Sequence, residues 1–173
     1  GIPDPISIED YIENEGFKGL RSTLDLDARS IVDIVTDSGL RGRGGAAFPT
    51  GIKWNTVLNC QADQKYIVCN ADEGDSGTFS DRMTMEGDPF ALIEGMTIAA
   101  FAVHATKGYV YLRSEYPHAE EVFNAALDVA RDKGYLGKNI RGGERSFDIE
   151  LRRAAGAYIC GEETSLLESL EGK

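Results

Sequence analysis

Histidine is nearly absent from this chain, at two in 173 residues, and cysteine is scarce, at three. No C-x-x-C pair occurs, which excludes a zinc ribbon or an iron–sulfur centre built from neighbouring cysteines. Cys60, Cys69 and Cys160 are odd in number and widely spaced; they read as reduced, buried small hydrophobes of a cytoplasmic protein. His104 and His118 fall on different predicted helices, so nothing points to a metal site or a proton relay. Positive charge is also short. The 18 Lys and Arg face 29 Asp and Glu, a net charge of −11, and such a chain lacks the basic face that nucleic acid requires. No apolar run reaches the roughly 20 residues of a spanning helix, so direct membrane insertion is not expected. What remains is an ordinary globular composition, 42% hydrophobic and 27% charged, in a length that suits one domain with its own core. The chain begins without Met, and residues 166–173 stop inside an apparent helix; both features suggest a piece of a longer protein.

Strand and helix patterns alternate. Ser7 is placed to cap a helix over 8–13, and residues 28–37 bring Ala28, Ile31, Val32 and Val35 onto one helical face that ends at Gly39. A helix over 52–58 follows, then a short buried strand at 66–69 that enters the loop Asn70-Ala71-Asp72-Glu73-Gly74. Asp88 as N-cap and Pro89 in the first turn open a long apolar helix to about residue 105. A strand at 108–112 and an amphipathic helix at 118–133, closed by Gly134, come next. Alternation of Phe147, Ile149 and Leu151 marks a half-buried strand near a sheet edge. A last apolar run at 157–160 ends at Gly161 and leads into a helix to residue 170. This order predicts an α/β domain with a mainly parallel sheet.

Against the acidic background, residues 38–53, SGLRGRGGAAFPTGIK, contain no carboxylate. They hold glycines at 39, 42, 44, 45 and 51 and the cations Arg41, Arg43 and Lys53. Glycine lets backbone N–H groups crowd against a ligand, and arginine supplies a forked cation matched to phosphate. The run from Gly42 to Ala47 formally fits G-x-G-x-x-G/A. However, a helix rather than a strand precedes it, and Pro49 would fall just inside the helix that should follow, so an ordinary dinucleotide turn is rejected. The P-loop template fails too, because Gly51 is followed by Ile52. From the residues alone two readings stay open: a phosphate cradle with Phe48 able to stack on a base, and a glycine-rich connector with solvated arginines.

Two further segments carry chemistry. Residues 69–78, CNADEGDSGT, lie where a parallel strand ends, the edge at which α/β ligands bind; a solvated acidic turn is the alternative. Residues 156–165, GAYICGEETS, place Glu162 and Glu163 on a first helical turn. Favourable interaction with the helix dipole accounts for them, and carboxylates there can also accept hydroxyl hydrogens from a ribose or ribityl chain.

Together and in this order, the three segments resemble the family of flavin-bearing, NADH-oxidising subunits of respiratory complex I. Its soluble relatives serve NAD-reducing hydrogenases and NAD-dependent formate dehydrogenases. The resemblance runs from about residue 31 to the end of the chain. It implies a Rossmann-like three-layer α/β domain with an atypical glycine-rich loop for FMN and NADH. Residues 1–30 would be a helical lead-in and 31–173 the FMN- and NADH-binding domain, with the family's ubiquitin-like and iron–sulfur domains lying outside this chain. Carried across by motif, Gly42, Arg43, Gly44, Lys53, Asn70, Asp72, Tyr158, Gly161 and Glu162 would hold FMN. Gly45, Phe48, Glu73, Asp75 and Glu163 would face NADH. Hydride would pass between stacked cofactors with no catalytic acid or base, Glu73 tuning the site. Electrons would then leave for a 4Fe-4S cluster in a later domain and an adjacent thioredoxin-like 2Fe-2S subunit. The rival is a nucleotide-binding or interaction module without redox activity.

Two departures stand out. Ala47 occupies a position where the family more often has glycine, which implies a less free backbone approach. Asp75 stands where the complex I branch usually has glutamate, and EGDSGTFSDRM with EGDP following looks more like the soluble branch. That favours a formate dehydrogenase or hydrogenase subunit over complex I itself. Acidic groups near the nucleotide would disfavour a 2′-phosphate and so favour NADH over NADPH. Trp54 is expected to pack in the core rather than stack on a ligand.

Overall fold

A computed structural model of the chain describes residues 4–43, 45–72 and 80–154. Its centre is a parallel sheet of β1 (Tyr66–Ala71), β2 (Lys107–Leu112) and β3 (Asp148–Arg153), in the order β1-β2-β3. The register aligns Ala71 with Leu112 and Leu112 with Arg153, so the three strands finish on one edge. Side chains alternate between faces. Cys69, Val110 and Leu151 join the main core, whereas Val68, Tyr111 and Ala154 form a small second cluster.

Helix α6 (Pro89–Val103) is almost wholly apolar and buries Phe90, Ile93, Met96 and the run from Ala99 to Val103. A helix apolar all round belongs inside, and α6 accordingly touches β1, β2 and most of the other helices. Those neighbours include α2 (Lys18–Thr23), α3 (Ala28–Asp37), α4 (Thr50–Asn59), α5 (Ser80–Gly87) and α7 (Pro117–Asp132). On α7, Ala119, Phe123, Ala126, Leu127 and Ala130 are buried, the three-and-four spacing of an amphipathic helix, and α7 also meets β3. The chain is thus a mixed α/β domain whose parallel sheet is flanked by helices.

Residues 8–26 contribute to this core. In α1 (Ile8–Glu13) the Ser7 hydroxyl accepts the Asp10 N–H at 3.2 Å, the expected cap. Ile8, Phe17 and Leu20 are buried in the cluster that holds Ile93 and Phe101. One carboxylate fixes the junction: Glu94 of α6 accepts the Tyr11 hydroxyl at 2.5 Å and the N–H groups of Phe17 and Leu20 at 3.0 and 2.9 Å. Burial first, and then Glu94, push the Tyr11 phenol well above its ordinary range. Arg145 donates to the carbonyls of Thr23 and Leu26 and lies 4.8 Å from the Phe101 ring centroid.

Several expectations hold and several shift. Gly39 and Gly134, at φ +71° and +78°, follow α3 and α7 as expected. Trp54 packs against the core. Strand β1 runs on through Asn70 and Ala71, because these pair with Tyr111 and Leu112, and it is half-buried rather than buried. Asp88 precedes α6 without a side-chain cap; an aspartate cap stands instead at α3, where the Asp27 carboxylate accepts the Ser30 N–H at 2.8 Å. That bond, first among its causes, lowers the Asp27 pKa. Cys60 is exposed, contrary to expectation, because it ends α4 where the backbone turns extended. Cys160 lies outside the described residues.

Burial, with a smaller contribution from the Asp81 charge, pushes the Cys69 thiol up to about 11. Folding therefore favours the neutral thiol. That contribution is intact below the ordinary thiol value of 9.0 and is lost as pH rises through about 11. Brief alkylation of the native protein at mildly alkaline pH should label Cys60 fast and Cys69 slowly, as read by peptide mass mapping. Equal labelling of the two would contradict this placement of β1.

Candidate functional site

Helices α3 and α4 form a tightly fastened pair. Arg29 donates to the side-chain oxygens of Asn55 and Asn59 at 2.5 and 3.0 Å. Gly51 lies so close to α3 that a Cβ there would stand 2.6 Å from the Thr36 Cα. Between the helices the glycine-rich segment folds into a small hairpin. Arg41 and Pro49 form an antiparallel bridge. The Gly42 N–H donates to the Phe48 carbonyl at 2.8 Å, and the Thr50 N–H to the Leu40 carbonyl at 2.9 Å. The Arg41 guanidinium crosses the hairpin and donates to the Ala47 carbonyl at 3.2 Å. The segment joins helix to helix, which bears out the rejection of an ordinary strand-to-helix dinucleotide turn.

Two of the hairpin's glycines, Gly42 and Gly45, face open space. A Cβ on Gly42 would meet nothing nearer than the Phe48 carbonyl oxygen at 3.7 Å, and one on Gly45 nothing within 4 Å. Internal packing therefore does not demand either glycine, and the space before them is open to a ligand. Phe48 is 48% exposed, with the Lys53 ammonium 5.9 Å from its ring centroid. Arg43 is exposed and, among the described residues, makes no hydrogen bond or ion pair. Ala47 adopts φ +44°. An L-residue disfavours that backbone conformation by about 1–2 kcal/mol.

A second group sits at the carboxyl edge of the sheet, where ligands of α/β proteins bind. Asn70 is exposed at the end of β1, and its side-chain oxygen accepts the Asp72 N–H at 3.1 Å, starting the loop that follows. The structure thus joins Gly42, Phe48 and Lys53 in one group and Asn70 with Asp72 in another. None of the described hairpin's hydrogen bonds or ring contacts reaches β1. Gly44, Glu73, Asp75, Tyr158, Gly161, Glu162 and Glu163 lie outside the described residues.

Sequence reasoning missed the arginines at this same edge. Arg113 pairs with Glu115 at 2.7 Å and approaches the Tyr116 ring, as does Arg82. Arg152 pairs with Glu150 at 2.8 Å and Arg153 with Glu120 at 2.7 Å. Their only sequence signal was two adjacent arginines closing an alternating strand, which an ordinary exposed strand end also shows. An open cavity of about 530 Å³ lined by Cys60, Asp63, Lys65 and His104 lies at the opposite, amino edge of the sheet and is no part of the site. Among the described residues no helix is long and apolar enough to cross a membrane, and no cluster of side chains could hold a metal ion.

The donor set suits a flavin mononucleotide. The open face of Gly42 and Gly45 and two exposed cations, Arg43 and Lys53, match a phosphate, and Asn70 brings a side-chain amide to the edge where α/β ligands bind. Comparison with known proteins agrees. The Nuo51 FMN-binding domain family matches residues 35–173. The chain is 54% identical over 173 residues to the NADP-reducing hydrogenase subunit HndC of Solidesulfovibrio fructosivorans, covering 100% of this chain and 35% of that protein. It is 47% identical to a subunit of the NADH-quinone oxidoreductase of Aquifex aeolicus, covering 96% of this chain and 39% of that protein. The air-oxidised crystal structure of an NAD+-reducing [NiFe]-hydrogenase superposes with a TM-score of 0.77 at 37% identity, covering 96% of this chain and 28% of that one. The chain therefore spans little more than a third of the curated relatives it matches. On the span of the match and on these identities, the chain belongs to the Nuo51 FMN-binding domain family.

Proposed function

We propose that this chain is the FMN- and dinucleotide-binding part of an NADH dehydrogenase or diaphorase-type enzyme. One observation carries the reading: the family match over residues 35–173 takes in the glycine hairpin, the end of β1 and the Gly161-Glu162-Glu163 run together. In this reading Gly42, Arg43, Gly44, Lys53, Asn70, Asp72, Tyr158, Gly161 and Glu162 hold FMN. Gly45, Phe48, Glu73, Asp75 and Glu163 face the dinucleotide. FMN, when bound, supplies the hydride acceptor and the one-electron outlet. The chain's own residues bind and orient. Arg43, Lys53 and the hairpin N–H groups offset phosphate charge, Phe48 offers a ring face to a base, and no side chain is required to move a proton.

The larger setting is also a proposal. Electrons would leave for a 4Fe-4S cluster of a later domain and a thioredoxin-like 2Fe-2S subunit, in the cytoplasm. The higher identity to a hydrogenase protein, 54% against 47% for the quinone oxidoreductase, supports a soluble hydrogenase or formate dehydrogenase setting over complex I. Glu73, Asp75 and Glu163 would repel an added 2′-phosphate, which favours NADH; the HndC relative is named for NADP, so both dinucleotides belong in the assay. The test is Gly44→Val in the full-length protein. A branched side chain where backbone meets ligand should abolish flavin binding. Normal FMN content in a folded variant would overturn the assignment of the hairpin.

A further inference from the structure

We infer that Arg41 is a positioning residue that sets the shape of the hairpin, while its near neighbour Arg43 supplies the charge. This rests on the FMN and dinucleotide reading above and assigns a role that the motif alone leaves undivided. In the sequence the two arginines look equivalent, separated by one glycine. The structure separates them. Arg41 sits in the bridge to Pro49, and its guanidinium is turned back across the hairpin onto the Ala47 carbonyl at 3.2 Å. Arg43 is exposed and, among the described residues, has no hydrogen-bond or ion-pair partner.

The bond from Arg41 falls at a place where the hairpin needs restraint. Ala47 holds φ +44°, a conformation that an L-residue leaves readily unless its surroundings fix it. The carbonyl that Arg41 grips belongs to the peptide leading into Phe48. Phe48 is 48% exposed, and the Lys53 ammonium lies 5.9 Å from its ring. Two backbone bonds, Gly42 to Phe48 and Thr50 to Leu40, close the hairpin stem, but among the described residues only the Arg41 bond reaches its far side at Ala47. Releasing it frees that peptide and with it the direction of the Phe48 ring. Dinucleotide binding then weakens because the ring is no longer pre-set, not because a charge has left the ligand.

The two roles differ in salt dependence. A cation that meets phosphate contributes an attraction between full charges that salt screens, whereas a clamp from a guanidinium to a neutral carbonyl of the same hairpin depends on it far less. The experiment measures KM and kcat for NADH, and retention of FMN, across a range of salt in the full-length, FMN-loaded protein, alongside the thermal midpoint. Arg41→Gln should raise KM about 10-fold at every salt concentration, with a salt profile parallel to wild type and kcat within about 2-fold. Arg41→Lys keeps a donor for the Ala47 carbonyl and should recover most of the loss. Arg43→Gln, which removes a cation from the FMN phosphate, should weaken FMN retention and flatten its dependence on salt. The inference is overturned if Arg41→Gln flattens the salt dependence of FMN retention as Arg43→Gln does, if it leaves KM unchanged, or if Arg41→Lys, folded and loaded, is no better than Arg41→Gln. A wild-type protein that binds no FMN or does not oxidise NADH overturns the underlying site as well, a result read before any variant is compared.

Discussion

Glu94→Ala should lower the stability of the chain by about 2–4 kcal/mol, measured as a shift in the urea midpoint at unchanged slope. The carboxylate is the common acceptor for the Tyr11 hydroxyl and for the N–H groups of Phe17 and Leu20. Phe17 stands in the left-handed region at φ 58° with no side-chain cap for the helix it opens, so Glu94 does from a distance what a capping residue normally does locally. Removing it strands two backbone donors beside fully buried Phe17 and Leu20, and each stranded donor costs about 1–3 kcal/mol when water cannot replace the acceptor. Glu94 is itself only half-buried, which lets water recover part of that and sets the lower bound. Glu94→Gln should fall between, since one amide oxygen still accepts while the NH2 faces a donor. A midpoint unchanged in Glu94→Ala would mean that residues 4–26 are not held by this carboxylate.

Gly51→Ala should cost about 1–3 kcal/mol through overpacking, although alanine is the better helix former. Gly51 is buried, and a new Cβ would stand 2.2 Å from the Thr36 Oγ1 and 2.6 Å from the backbone Thr36 Cα. Backbone cannot swing aside as a long side chain can, so α3 and α4 must separate, and the hairpin they hold must open with them. The matched control is Gly45→Ala, where a Cβ meets nothing within 4 Å and stability should change by less than about 0.5 kcal/mol. Thermal melts of the two variants decide the matter. Equal midpoints would show that α3 and α4 do not depend on the close approach.

Periodicity made most of the fold legible. Helix α3 carried its apolar face, and α7 its three-and-four spacing, in the sequence. The strands showed as short apolar or alternating runs, and their parallel order followed from the helices between them. The less legible parts had local reasons. Helix α2 has six residues, a glycine inside it and a left-handed N-cap, so neither period nor capping residue announces it. Helix α5 buries only Met85 and so carries no apolar stripe. Glu94 was visible only as the single carboxylate in an otherwise apolar helix; the N–H groups that donate to it lie more than seventy residues away, beyond any local pattern. In the site, the glycines, cations and Phe48 were readable as residue types. That Arg41 folds back onto the Ala47 carbonyl while Arg43 makes no such bond was not, because the division depends on the path of a hairpin that R-G-R does not encode.

Whether the chain serves a redox-active flavin is decided most directly by spectroscopy. The full-length protein is loaded with FMN, and NADH is added without oxygen while the flavin absorption band is followed. FMN is expected to bind, and NADH to bleach the band rapidly, with NADPH slower. Bound flavin that NADH leaves unbleached would contradict the proposed function, reducing the chain to a nucleotide-binding module without redox activity.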